Sequence, residues 1–251
     1  MSMKMLCFAL GATILSGVSA ANAQGSVKVG ISAVPGIFTA FDEKTGKASG
    51  AMVELFEAIA SNAGIEIQYV KIDATSSDPF VAALKAGKID TIVYTFQITP
   101  DRQSQFDFSN PVLSYGETLV VQKTDPTEYR SAEDLRGRSV GAVAGSNYIE
   151  IVKRAGGDPV LGNSVAAAVA DVNAGKLVAA MGSAPTIIYV AQHGPYDNVK
   201  IASEYRSKDV LPAGMGVRKG DTELLKRIND GLAKFRADGT SHRILTKYGL
   251  E

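Results

Sequence analysis

The chain has one cysteine and two histidines in 251 residues, and its 26 Lys+Arg are matched by 26 Asp+Glu. Each scarcity removes a class of function. The single cysteine, Cys7, lies in an N-terminal stretch that reads as a secretion signal. Lys4 supplies the positive start, Leu6 to Val18 the apolar segment, and Ala21-Asn22-Ala23 the small-x-small cleavage site. With residues 1–23 removed, an exported chain has no disulfide and no thiol chemistry. Cys7 does not end the apolar segment, so no lipid-bearing cysteine is expected. The balanced charge gives no basic excess for nucleic acid. No other run is long and apolar enough to span a bilayer. What is left is a chain long enough to bury a core without staples.

Catalytic chemistry finds little support. There is no Gly-x-Ser-x-Gly elbow, and His193 and His242 each fall near the end of a predicted helix, where histidine is usually a helix-end group. No His/Asp/Glu cluster has metal-ligand spacing. Gly141-Ala142-Val143-Ala144-Gly145 lacks the dinucleotide glycine pattern and a P-loop lysine, so it signals a turn and no phosphate cradle. No metal and no cofactor are expected.

Periodicity supplies the architecture. Val27 to Ile31 reads as a strand, and Ala51 to Ala63 as a helix with Met52, Leu55, Phe56 and Ile59 on one face and Gly64 as its stop. Ile65, Ile67 and Tyr69 alternate as a second strand. Asp78-Pro79 predicts an N-cap and a first-turn proline for a helix that ends at Gly87. Ile89 to Phe96 is a continuous apolar run, the pattern of a strand buried on both faces. This β-α-β-α-β order predicts a parallel sheet with right-handed crossovers.

After a strand at Glu117 to Lys123 the pattern recurs. Strands are predicted at Ser139 to Ala144, Pro159 to Leu161, Leu177 to Met181 and Val199 to Ala202. Between them lie helices from a Ser146 cap to Ala155, from Val165 to Ala174 and from Pro185 to His193. Leu84-Lys85-Ala86-Gly87-Lys88-Ile89 is echoed by Val172-Asn173-Ala174-Gly175-Lys176-Leu177, which argues for two α/β lobes in place of one long sheet. A strand at Ala213 to Val217, a helix at Asp221 to Ala237 with an apolar stripe, and a short helix at Thr240 to Tyr248 close the chain.

Ligands of open α/β sheets lie beyond the carboxyl ends of the strands. The run to Phe96 leads into Thr99-Pro100-Asp101-Arg102, a turn that carries a single arginine. Its planar, permanently charged fork suits a carboxylate or phosphate, although a surface arginine after a turn is the plain alternative. Gly145-Ser146-Asn147 is a second such loop: the glycine allows close approach, and free N–H groups at a helix start favour an anion. Ser146 would serve equally as an ordinary N-cap. Arg102 from one lobe and Ser146 from the other would hold one carboxylate in a closing cleft.

The chain resembles the periplasmic solute-binding proteins of amino-acid-type ABC importers, family 3, with the type II binding-protein fold. The resemblance spans essentially everything after the signal. It rests on Phe38-x-x-Phe41-Asp42, Gly50-x-x-x-Glu54-Leu55, Ala83-Leu84-Lys85-Ala86-Gly87-Lys88-Ile89-Asp90, Ile98-Thr99-Pro100-Asp101-Arg102, Phe108-Ser109-Asn110-Pro111, Asp134-Leu135-Arg136-Gly137 and Asp238-Gly239-Thr240. It implies an α/β fold of two Rossmann-like lobes joined by a two-strand hinge. Lobe 1 would hold residues 24–114 and 211–251, and lobe 2 residues 115–210 with hinge strands at its borders. It further implies a monomer in the periplasm that hands a small carboxylate ligand to an ABC permease in the inner membrane. Arg102 falls on the position that pairs with the ligand carboxylate. Gly145, Ser146 and Asn147 fall at the second lobe's donor loop, Thr95 and Tyr94 beside the same group, and Phe38 where a ring meets the ligand side chain.

The departures concern the ammonium. The family's amine-binding Asp lies beyond a Gly-Arg-Val-Asp-Ala segment, which is here Gly175-Lys176-Leu177-Val178-Ala179, and the Asp position itself is Ser183. Gln97 replaces a hydroxyl, and Pro35 and Ser77 stand where ligand-sandwiching rings are usual. A buried ammonium without a carboxylate partner is costly. Free α-amino acids are therefore expected to bind poorly, and the ligand to keep a carboxylate while lacking or masking the ammonium. Two other readings stand beside capture and delivery. Cyclohexadienyl dehydratases look like this family and use an acidic proton donor in the same cleft, but no Asp or Glu sits at the strand-end positions singled out above as ligand contacts. A partner protein of a periplasmic dehydrogenase or sensor, with a degenerate cleft, fits the loss of the Asp equally well.

Overall fold

The computed structural model describes residues 26–74 and 76–250, so the predicted secretion signal and Cys7 lie outside the described residues. The chain runs β1 (Val27–Ser32), a hairpin of β2 (Ala40–Asp42) and β3 (Lys47–Ser49), α1 (Ala51–Ala63), β4 (Ile67–Ile72), α2 (Ser77–Lys85), β5 (Thr91–Gln97), α3 (Pro100–Gln105), β6 (Asp107–Phe108) and β7 (Leu113–Tyr115). It continues through β8 (Glu117–Gln122), a single-turn 3-10 helix at Ala132–Leu135, β9 (Ser139–Val143), α4 (Tyr148–Arg154), β10 (Asp158–Gly162), α5 (Val165–Asn173), β11 (Ala179–Ser183), α6 (Ala184–His193) and β12 (Val199–Ile201). It ends with β13 (Leu211–Val217), α7 (Thr222–Ala237) and α8 (Thr240–Lys247).

Apart from the β2–β3 hairpin, two sheets divide these strands. One has the order β4-β1-β5-β13-β6, with β7 also on β13; the other has β10-β9-β11-β8-β12. The predicted parallel core is present in each: β1 lies parallel to β4 and β5, and β9 parallel to β10 and β11. The sheets are mixed, however, because β13 runs antiparallel to β5 and β8 antiparallel to β11. Both antiparallel strands adjoin the crossings between lobes. Tyr115 ends a strand of the first sheet and Glu117 begins one of the second, and the chain returns between Ile201 and Leu211. An added Cβ on Gly116 would overlap Ser207, so the two crossings touch there. Buried Glu117 binds them together, accepting from the Tyr205 hydroxyl at 2.8 Å and the Ser207 hydroxyl at 2.6 Å.

Helix α1 matches its predicted span. Its stripe of Met52, Leu55, Phe56 and Ile59 packs in one cluster with Leu224, Ile228, Leu232 and Phe235 of α7, which docks the C-terminal segment onto the first sheet. Three other boundaries shift. Ser76 is the N-cap of α2, so Asp78 and Pro79 sit inside its first turn, where a missing N–H needs no partner. The Thr-Pro-Asp-Arg turn opens a helix, with the Thr99 hydroxyl accepting from the Arg102 backbone N–H. Helix α4 begins only at Tyr148, so Ser146 is not its N-cap.

The helix α1–α7 contact has no slack at Gly231, where a Cβ would stand 2.8 Å from Ile59 Cγ2. Gly231→Leu should lower stability by about 1–3 kcal/mol in denaturant unfolding, the usual cost of overpacking. An unchanged midpoint would contradict this packing.

Candidate functional site

The ends of β5, β7 and β9, the starts of α3 and α4, and the β11–α6 junction converge on one cavity of about 60 Å³. Of the residues singled out above, Phe38, Tyr94, Thr95, Gln97, Arg102, Ser146, Asn147 and Ser183 line it, and Gly145 does not. Gly145 instead takes a left-handed φ of 75°, and a Cβ there would meet Asp78 Oδ2 at 3.3 Å and Ser76 Cβ at 3.4 Å. It lets the α4 loop approach the start of α2.

Arg102 is 8% exposed. Its Nη1 donates to the Gln97 carbonyl at 3.1 Å, and its guanidinium lies over the Phe96 ring at 5.0 Å. Among the described residues no ion pair includes it. Burial lowers its pKa from the ordinary value, partly offset by Tyr115, Tyr148, Asp101 and Asp78, and a guanidinium remains charged at neutral pH regardless. Two further groups are unmatched. Thr95 Oγ1 and Ser146 Oγ are buried without a hydrogen-bond partner, and both residues line the cavity. A buried hydroxyl left unpaired costs about 1–3 kcal/mol, which a ligand oxygen would recover.

The rest of the lining is neutral. Ser183, the last residue of β11, donates to Thr186 Oγ1 at 2.8 Å, and Thr186 and Tyr94 line the same cavity. Burial pushes the Tyr94 pKa up to about 12, so it stays protonated. No Asp or Glu lines the cavity among the described residues. Glu117, the one buried carboxylate among them, is committed to Tyr205 and Ser207. Gln97 is spent on structure: its Nε2 donates to the Tyr115 carbonyl at 2.8 Å, and its Oε1 accepts from Asn147 Nδ2 at 2.8 Å, a bond between the lobes.

Sequence reasoning missed Ser76, Phe96, Tyr115, Val143, Tyr148, Val165 and Thr186. Tyr94, Phe96, Tyr115 and Tyr148 join Phe38 around the cavity, while Pro35 and Ser77, at the usual ring positions, do not line it. Tyr115 lies in a three-residue strand and Tyr148 at a helix start, neither of which has a readable period. Thr186 could have been found from Ser183, because Pro185 opens a helix that presents both hydroxyls in its first turn.

Two predictions follow from this geometry. Asn147→Ala removes the direct bond between lobes and orphans Gln97 Oε1. The ligand-free protein should then open, with a larger radius of gyration by small-angle scattering; an unchanged radius would contradict the bridge. The second concerns pH. Tyr94 keeps its proton to about 12 when folded and would lose it near 10.0 when unfolded, so its contribution is complete below pH 10 and fades as pH rises toward 12. Denaturation midpoints should fall across this window, and fall less in Tyr94→Phe; equal slopes would contradict the burial of the phenol.

The model of the bacterial extracellular solute-binding proteins, family 3, matches residues 27–251. The L-cystine-binding protein TcyJ of Escherichia coli (strain K12) is 26% identical over 227 residues, covering 90% of this chain and 83% of that protein. An ancestral arginine-binding protein solved with arginine superposes with a TM-score of 0.79 at 31% identity, covering 90% of this chain and 98% of its own. An ancestral amino acid-binding protein described as a precursor of cyclohexadienyl dehydratase does so with a TM-score of 0.78 at 27% identity, covering 90% and 96%.

Proposed function

The chain belongs to the bacterial extracellular solute-binding proteins, family 3, and we propose that it captures a small carboxylate-bearing solute that lacks a free ammonium and delivers it to an ABC importer. The lobes that close on the solute would be residues 24–114 with 211–251, and 115–210. The protein would act in the periplasm, as a monomer, and dock its loaded form on a permease of the inner membrane.

One observation carries this reading. A buried guanidinium without a carboxylate partner shares a cavity with two unpartnered hydroxyls, Thr95 Oγ1 and Ser146 Oγ, one from each lobe. Three donors around one small space complement a carboxylate, and the contribution from each lobe couples binding to closure. The absence of an ammonium follows from Ser183 and the neutral lining beside it. TcyJ is a cystine-binding protein and the ancestral neighbour holds arginine, both α-amino acids, so on this reading the chain departs from them at the amine. A role without chemistry is supported by the same lining, which offers no acidic proton donor.

Isothermal titration of the protein against the twenty amino acids and their deaminated carboxylates should find affinity among the latter alone. Arg102→Lys replaces a bidentate fork by a point charge and should weaken binding strongly. Arg102→Ala should cost about 3–5 kcal/mol, the scale for breaking a buried pair. Micromolar affinity for an ordinary amino acid would contradict the proposal.

A further inference from the structure

Beyond the anion-binding groups, the cavity is bordered by three hydroxyls, those of Ser183, Thr186 and Tyr94. Ser183 donates to Thr186 at 2.8 Å. That pair has two protons and one internal bond, so one O–H remains free to donate, and the Tyr94 phenol brings another. This wall therefore offers a hydrogen-bond donor beside the carboxylate site, with no negative charge to hold a cation. An ammonium, which donates only, would find hydroxyl oxygens but no counter-charge in a dry site. A carbonyl or hydroxyl oxygen on the carbon next to the carboxylate would accept the free proton directly.

Size narrows the ligand further. A space of about 60 Å³ is only a few times the about 10–15 Å³ that one water needs, so the cavity suits a ligand of a few heavy atoms. That is the size of glycolate, lactate or pyruvate. A second cavity of about 40 Å³ shares Phe38, Tyr94, Val165 and Thr186 with the first and continues past Pro35, Ile37 and Val190. Its apolar lining suits one or two extra methyl groups and no polar side chain.

We propose that the site selects short aliphatic monocarboxylates with an oxygen on C2, that is 2-oxo or 2-hydroxy acids, and that Tyr94, Thr186 and Ser183 are the residues that set this preference. The assignment rests on the carboxylate reading above and adds the identity of the neighbouring group.

Four three-carbon acids differ only at C2: pyruvate, L-lactate, propionate and L-alanine. Titrated calorimetrically into the wild-type protein, pyruvate or lactate should bind at least about tenfold more tightly than propionate, with L-alanine weakest; a buried hydrogen bond of this kind supports that ratio. Tyr94→Phe should bring the preferred acid to the level of propionate while propionate itself stays within about twofold, which also shows that the variant is folded; Thr186→Val should move the same ratio. Propionate equal to pyruvate and lactate would overturn this inference and leave carboxylate capture standing. Binding by none of the four would overturn the size and class assigned here and leave larger carboxylates open. L-alanine as the tightest ligand would overturn both readings.

Discussion

A permanently charged guanidinium held away from water, with no carboxylate beside it, is the constraint around which the cleft is built. Arg102 directly contacts a backbone carbonyl and the face of Phe96, neither of which neutralises a charge, and Asp101 and Asp78 act on it without forming an ion pair. Desolvating an ion costs several kcal/mol even after relaxation. In the proposed reading a ligand anion meets this cost, and the unpartnered hydroxyls of Thr95 and Ser146 lie in the same cavity to join it. A site in which the missing partner belongs to the ligand converts binding energy into closure.

The same logic explains how the lobes are held. They cross only at the short passages near Gly116 and before Leu211, where Glu117 ties strand to returning segment through Tyr205 and Ser207. On the cleft side they meet at the Gln97–Asn147 bond and at Gly145, whose positive φ and missing side chain let the α4 loop sit against Ser76 and Asp78. A stiff hinge with a small number of specific contacts across the cleft is what a two-position device needs. In the proposed reading recognition is divided accordingly: both lobes would grip the anion, while the second lobe's Ser183 and Thr186, with Tyr94 from the first, would present uncharged donors.

Much of this was legible beforehand. The span of α1, the order of strands and helices, and the parallel core of both sheets followed from apolar periodicity, glycine stops and proline starts. Arg102 and Ser146 stand out in the sequence as candidate anion donors by their residue types in strand-end loops, and the structure brings both to one cavity. What could not be read depends on contacts between distant segments. The antiparallel direction of β13 is set by its pairing with β5 and β7, which no local pattern encodes. Ser146 looked like a helix cap because its type suits one, yet α4 starts two residues later and the hydroxyl is left over. Tyr115 and Tyr148 come from elements too short to carry a period, so the ring-lined character of the cavity emerged only when the lobes were brought together.

The central claim is that the space between Arg102, Thr95 and Ser146 belongs to a carboxylate. A crystal structure of the protein purified without refolding tests it most directly. The account predicts planar carboxylate density touching the Arg102 guanidinium and both hydroxyls, with no ammonium beside Ser183. A closed cleft in which a protein side chain fills that space, or a ligand that turns a cationic group toward Ser183 while leaving Arg102 unpaired, would contradict it.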